Sequence, residues 1–114
     1  MFSDRGQAEI EKGRHLAFKF RTETTWQIRV SYDVGVLTDG EIGIVLLTES
    51  EYEDYENGGP VSYIPQLSEF PTTSERRDRT VDSGSYVLVF DNTARFTEPT
   101  AEQLVEFTIT VRPE

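Results

Sequence analysis

The chain has 114 residues, enough for one domain (1–114) with a core of its own. Its 21 acidic residues against 11 basic ones leave a formal net charge of -10, which argues against a nucleic-acid partner, because such binding needs a basic face. With no cysteine there is no disulfide framework, no thiolate nucleophile and no Cys-ligated metal.

Residues 7–11 read as a weak strand, ended by Lys12 and Gly13. Leu16, Phe18 and Phe20 then alternate with Ala17 and Lys19, a strand with those three in the core. Trp26, Ile28, Val30, Tyr32 and Val34 alternate with polar residues in the clearest period-2 run of the chain, and are assigned to the same core face. Asp39 and Gly40 mark a turn. Residues 42–47 are apolar throughout except for Gly43; they predict a central strand, with Gly43 where another segment comes close or the sheet bends.

Residues 49–57 predict one short helix. Thr48 with Glu51, or Ser50 with Glu53, can form a capping box, and Asn57 with Gly58 can end the helix. Tyr52 and Tyr55, three apart, share a face of it. Pro60, Pro65 and Pro71 make residues 59–73 a long irregular excursion. Arg76, Arg77, Asp78 and Arg79 lie on a polar strand that suits a sheet edge, where charge discourages pairing with a second molecule. In the next strand Tyr86, Leu88 and Phe90 point to one face and Val87 and Val89 to the other, so both faces are buried. Val105, Phe107, Ile109 and Val111 alternate with polar residues in a last, half-buried strand. The fold class expected is all-β: an antiparallel two-sheet sandwich or jelly roll with one short helical element.

The end of the chain carries a more specific pattern. Gly84 and Tyr86 lead into a strand that closes on Phe90, Asp91 and Asn92, and a short polar link precedes the final strand. Over residues 83–111 this resembles the end of a GOLD domain, the β-sandwich of p24-type (emp24-like) cargo receptors and some lipid-transfer proteins. The resemblance implies a sandwich of about eight strands used for binding and not for catalysis. Val89 stands where the p24-type domains carry one cysteine of a pair.

Acidic, lysine-poor composition, with Lys12 and Lys19 the only lysines, looks like a protein of a salt-loving archaeon, where high salt screens carboxylate repulsion. No apolar run is long enough to span a membrane, and the first residues lack the apolar stretch of a signal peptide. The expected location is the cytoplasm, or else this is an excised ectodomain.

Chemistry-bearing residues are few. His15, the one histidine, has no nucleophile or acid near it in sequence and is assigned to the solvent face of its strand. Glu49, Glu51, Glu53, Asp54 and Glu56 supply oxygen ligands of the kind calcium takes, but not at EF-hand spacing. A helix would splay them, so a solvated face is expected and no metal site. Arg76, Arg77 and Arg79 could meet an acidic partner or phospholipid headgroups; neutralisation of nearby carboxylates is the favoured role. Asp91 and Asn92 are expected to fix the turn after their strand by side-chain to backbone bonds. Tyr52, Tyr55 and Tyr63 either lid one end of the sandwich or form a contact surface; a partner site, if there is one, should use them.

The reading that results is a non-enzymatic binding or structural module without cofactors. Its partner would be a protein, or a membrane surface reached through a protein. The alternative is a carbohydrate- or calcium-binding jelly roll of an exported protein. An enzyme, the weakest reading, would need a carboxylate pair facing a pocket.

Overall fold

The computed structural model describes residues 2–22, 26–96 and 98–114. Eight strands, one α-helix and one 3-10 turn follow one another among these residues. They are β1 (Phe2–Ile10), β2 (His15–Arg21), β3 (Gln27–Val36), β4 (Ile42–Thr48), α1 (Glu49–Glu56), the turn Pro65–Leu67, β5 (Glu69–Thr72), β6 (Ser74–Asp82), β7 (Ser85–Asp91) and β8 (Gln103–Pro113). They form two four-stranded sheets, in the orders β1-β8-β3-β6 and β2-β7-β4-β5, with antiparallel pairing throughout. This is the two-sheet β-sandwich that the alternation predicts.

The core lies between the sheets, where period-2 patterning puts it. Ile28, Val30, Tyr32 and Val34 of β3 and Val105, Phe107, Ile109 and Val111 of β8 supply one wall. Phe18, Phe20, Leu88, Phe90, Ile44 and Leu46 supply the other. Phe18 is wedged between Phe90 and Phe107, with ring centroids 5.2 and 4.9 Å away. Leu16 packs on this core only partly buried.

The second sheet is buried on its outer face as well. Val45, Leu47, Val87 and Val89 form a smaller cluster there, closed by Tyr52 and Tyr55 of α1. This explains why β4 and β7 are apolar at nearly every position: each serves two cores at once. Gly43 sits on this face, and a β-carbon there would stand 3.2 Å from Cβ of Phe96 and 3.4 Å from Cβ of Phe70. The close approach expected at Gly43 is therefore real.

Three sequence expectations need correction. Trp26 is not in the core; it is 77% exposed. Pairing of β3 with β6 begins at Gln27 and with β8 at Ile28, so Trp26 lies just beyond the end of the sheet, where alternation no longer has a wall to face. Residues 59–73 are not wholly irregular, since the 3-10 turn and β5 both fall there. Pro71 is tolerated because β5 is an edge strand, where a missing N–H breaks no ladder. The first strand is also longer than residues 7–11, running from Phe2, opposite Val111, to Ile10, opposite Gln103. No helix among the described residues is long and apolar enough to cross a membrane.

Candidate functional site

The three tyrosines singled out in the sequence do not form one surface. Thr48 caps α1, its side-chain oxygen accepting from the Glu51 amide at 3.3 Å, and Asn57 closes the helix with its own amide donating to the Glu53 carbonyl. The capping box is only half made: the Glu51 carboxylate turns away and accepts from the Ser62 amide at 2.9 Å, fastening the excursion to the helix. Held so, Tyr52 and Tyr55 stack 5.7 Å apart over the second sheet, each only 6% exposed.

Their hydroxyls are engaged. The Tyr55 hydroxyl donates to Oδ2 of the buried Asp91, whose Oδ1 accepts from the amide and hydroxyl of Thr93 at 2.9 and 2.8 Å. The Tyr52 hydroxyl is 2.9 Å from Nε2 of His15, and the His15 ring meets Tyr55 edge-on at 4.9 Å. Burial pushes the Tyr55 hydroxyl far above the ordinary tyrosine range, and the hydrogen bond and charge of Asp91 push it further. Burial also raises Tyr52, with a smaller contribution from Glu56. Arg95 lies over the Tyr55 ring and donates to the carbonyls of Gly59 and Tyr55 at 2.7 and 2.9 Å. His15 is thus half-buried beneath α1 and not on an open face, a second correction of its kind. The helix covers the outer side of β2 that the sequence pattern leaves polar.

Tyr63 stands apart, 38% exposed, its ring braced edge-on against Phe70 at 5.2 Å. It lines an open groove of about 400 Å³. One wall is the end of β6, with Thr80, Val81 and Asp82; the other is the segment of Tyr63, Ile64, Pro65 and Gln66. Gln27 and Tyr86 complete it. The groove follows from unequal strand lengths. β6 has nine residues but β5 has four, and beyond Ile44 the rim of β4 is met by an irregular segment through Ile64 N to Leu46 O at 3.0 Å. The inter-sheet gap is therefore left open at that end.

Trp26 belongs to the same end. Its carbonyl accepts from the Ser83 amide at 3.2 Å, and the next residue, Gln27, pairs in register with Asp82. Of the three large apolar side chains that stand exposed among the described residues, Tyr63 lines the groove and Trp26 is next in the chain to its lining residue Gln27; Leu37 is the third. Sequence reasoning missed Trp26 and the groove. The available signal was the position of Trp26 at the very start of its run, where a strand has not yet acquired neighbours.

The charged residues resolve locally. Arg77 bonds Glu69 at 2.8 Å and also Glu75, and Arg76 pairs with Asp33 at 2.7 Å. Arg79 donates to the carbonyl of Asp78 at 2.9 Å. On the outer face of the first sheet Arg29 grips Asp78 through two nitrogens, and this bond, with another from Ser31, holds the Asp78 carboxyl below the usual carboxylate range. Among the described residues no three His, Asp or Glu side chains converge as a metal shell. Asp91 fixes its turn through Thr93 as expected, and Asn92 donates to the carbonyls of Ile10 and Ala101, both at 2.9 Å, tying β1 to the last connection.

Comparison of the chain with protein-family models finds no match, and comparison with curated proteins finds none either.

Proposed function

We propose that this chain is a non-enzymatic binding module, a GOLD-like β-sandwich whose partner is a protein, carried by a host of the salt-loving kind. The observation that supports the reading is the exposed ring of Tyr63 on the lining of an open groove, with the exposed Trp26 next in the chain to the lining residue Gln27. Aromatic residues are concentrated at the centres of protein interfaces because they bury large areas at small entropic cost. In molar salt the screening length falls to about 3 Å, so contacts that rest on apolar area and hydrogen bonds keep their strength while long-range charge attraction fades. An acidic chain in such a medium would recognise a partner through a site of this composition. Of the three tyrosines, Tyr63 carries the contact, and Tyr52 and Tyr55 serve by holding α1 on the second sheet.

Panning a random-peptide display library against the immobilised chain tests the reading. Peptides should be enriched whose binding is lost in Tyr63→Ala and kept in Tyr52→Phe. Enrichment of no peptide, or only of peptides indifferent to Tyr63, contradicts it.

A further inference from the structure

We infer that β1 is the contact strand of a symmetric dimer, pairing antiparallel with β1 of a second copy of this chain. A sheet edge presents unpaired N–H and C=O groups, and proteins guard such edges with lysine, proline, bulges or a covering segment. Three of the four edges here are guarded. β5 has four residues, one of them Pro71. β6 carries Arg76, Arg77, Asp78 and Arg79, and Arg77 ties it to the Gln66 carbonyl and the Glu69 carboxylate of the segment alongside, at 3.2 and 2.8 Å. β2 carries Lys19 and Arg21 and no carboxylate, so a copy of itself would bring only cations. β1 has none of these devices. Its nine residues include no lysine and no proline, it pairs with β8 from Phe2 to Ile10 without a bulge, and no described strand pairs with its other side.

The charges of β1 select a second copy. The register with β8 puts Ser3, Arg5, Gln7 and Glu9 on the outer face of the sheet, opposite Thr110, Thr108, Glu106 and Leu104. Arg5 and Glu9 are exposed and have no ion-pair partner among the described residues, whereas Arg29, Arg76 and Arg77 of the same sheet are all paired. A twofold axis at Gln7 sets Arg5 of each copy opposite Glu9 of the other, with Gln7 facing itself. Opposite charges that face each other across strands attract, and like charges repel. Moving the axis to Gly6 or Ala8 breaks both facing pairs, and moving it to Arg5 or Glu9 brings like charges face to face. On the inner side Gly6 meets Ala8, and Asp4 meets Ile10 and no like charge. Such an interface is isologous, each copy giving what the other receives, and it joins two four-stranded sheets into one. The contact spans residues 4–10 of each copy, at the small end of protein interfaces, so the dimer exchanges with monomer as concentration changes. The net charge of -10 on each copy opposes association at low salt. At about 0.15 M the screening length is about 8 Å, short against a molecule 41 Å long, while the facing pairs lie within it.

Sedimentation equilibrium of the full chain at about 0.15 M salt, from micromolar to near-millimolar concentration, tests this. The mass should rise with concentration from 13.0 kDa towards twice that value. Arg5→Glu and Glu9→Arg should each weaken association at least about tenfold, because each turns both facing pairs into like charges. Glu9→Arg also brings the chain nearer neutrality, so net charge alone would strengthen association there. Mixed in equal amounts, the two variants should associate as the wild type does, since each restores the pairs the other lacks. Arg79→Ala, on the opposite edge of the same sheet, should change nothing, and thermal unfolding confirms that each variant is folded. A chain that stays monomeric throughout, association indifferent to Arg5 and Glu9, or a mixture no more associated than its separate components would each overturn the inference. The groove at Tyr63 lies by the other edge of the sheet, so peptide binding there and this dimer stand or fall separately.

Discussion

At the scale of single residues, the second sheet is closed by a chain of contacts from His15 through Tyr52 and Tyr55 to Asp91. Each polar group in it has a partner, as buried polar groups require. Asp91 is the sensitive point, because its carboxylate is fully buried. Removing the hydroxyl in Tyr55→Phe leaves Oδ2 without its donor while Oδ1 keeps Thr93. The expected loss is about 1–3 kcal/mol, measured by chemical denaturation. Trp26→Ala should change stability by no more than about 0.5 kcal/mol, because that side chain buries little. Part of this was legible in the sequence. The three-residue spacing of Tyr52 and Tyr55 put them on one helix face, and Asp91 with Asn92 signalled a side-chain-fixed turn. The bond from His15 to Tyr52 was not legible, since it joins residues 37 apart through a helix whose docking position no local pattern encodes.

At the scale of elements, β7 was the most legible strand and β5 the least. β7 is apolar on both faces because it faces the main core on one side and the helix-covered cluster on the other. β5 has four residues including a proline, so propensity reads it as loop; it becomes a strand only because the rim of β4 is there to pair with. Its brevity then opens the groove, so the candidate site arises from a feature that local pattern could not supply. α1 has eight residues and little intrinsic stability, and it persists through its cap and its two tyrosines. Thr48→Ala should cost about 1 kcal/mol in denaturation experiments. Gly43→Ala should cost about 1–3 kcal/mol, because the new methyl must displace the backbone or the β-carbons of Phe96 and Phe70.

At the scale of the whole molecule, charge and burial set the response to solution conditions. Stability should rise from low to molar salt, through screening of carboxylate repulsion in a chain of net charge -10. Thermal midpoints at the two salt levels check this, and a falling midpoint would contradict the halophilic reading. High pH acts in the opposite sense. Burial raises the hydroxyls of Tyr32, Tyr55 and Tyr86 above the value of about 10 found in an unfolded chain. Above that pH the unfolded state has lost protons that the folded state retains, so the stabilisation is complete below it and declines as pH rises beyond it. The tyrosinate absorbance of these buried tyrosines should accordingly appear together with loss of the β-sheet circular dichroism. The central claim is that binding and structural support are divided between Tyr63 and Tyr55. It is tested most directly by measuring affinity and thermal midpoint together for Tyr63→Ala and Tyr55→Phe, with a peptide selected on the wild-type chain. The account predicts that Tyr63→Ala loses binding with its midpoint nearly unchanged, whereas Tyr55→Phe lowers the midpoint and still binds while folded. Binding lost in Tyr55→Phe and retained in Tyr63→Ala would contradict it.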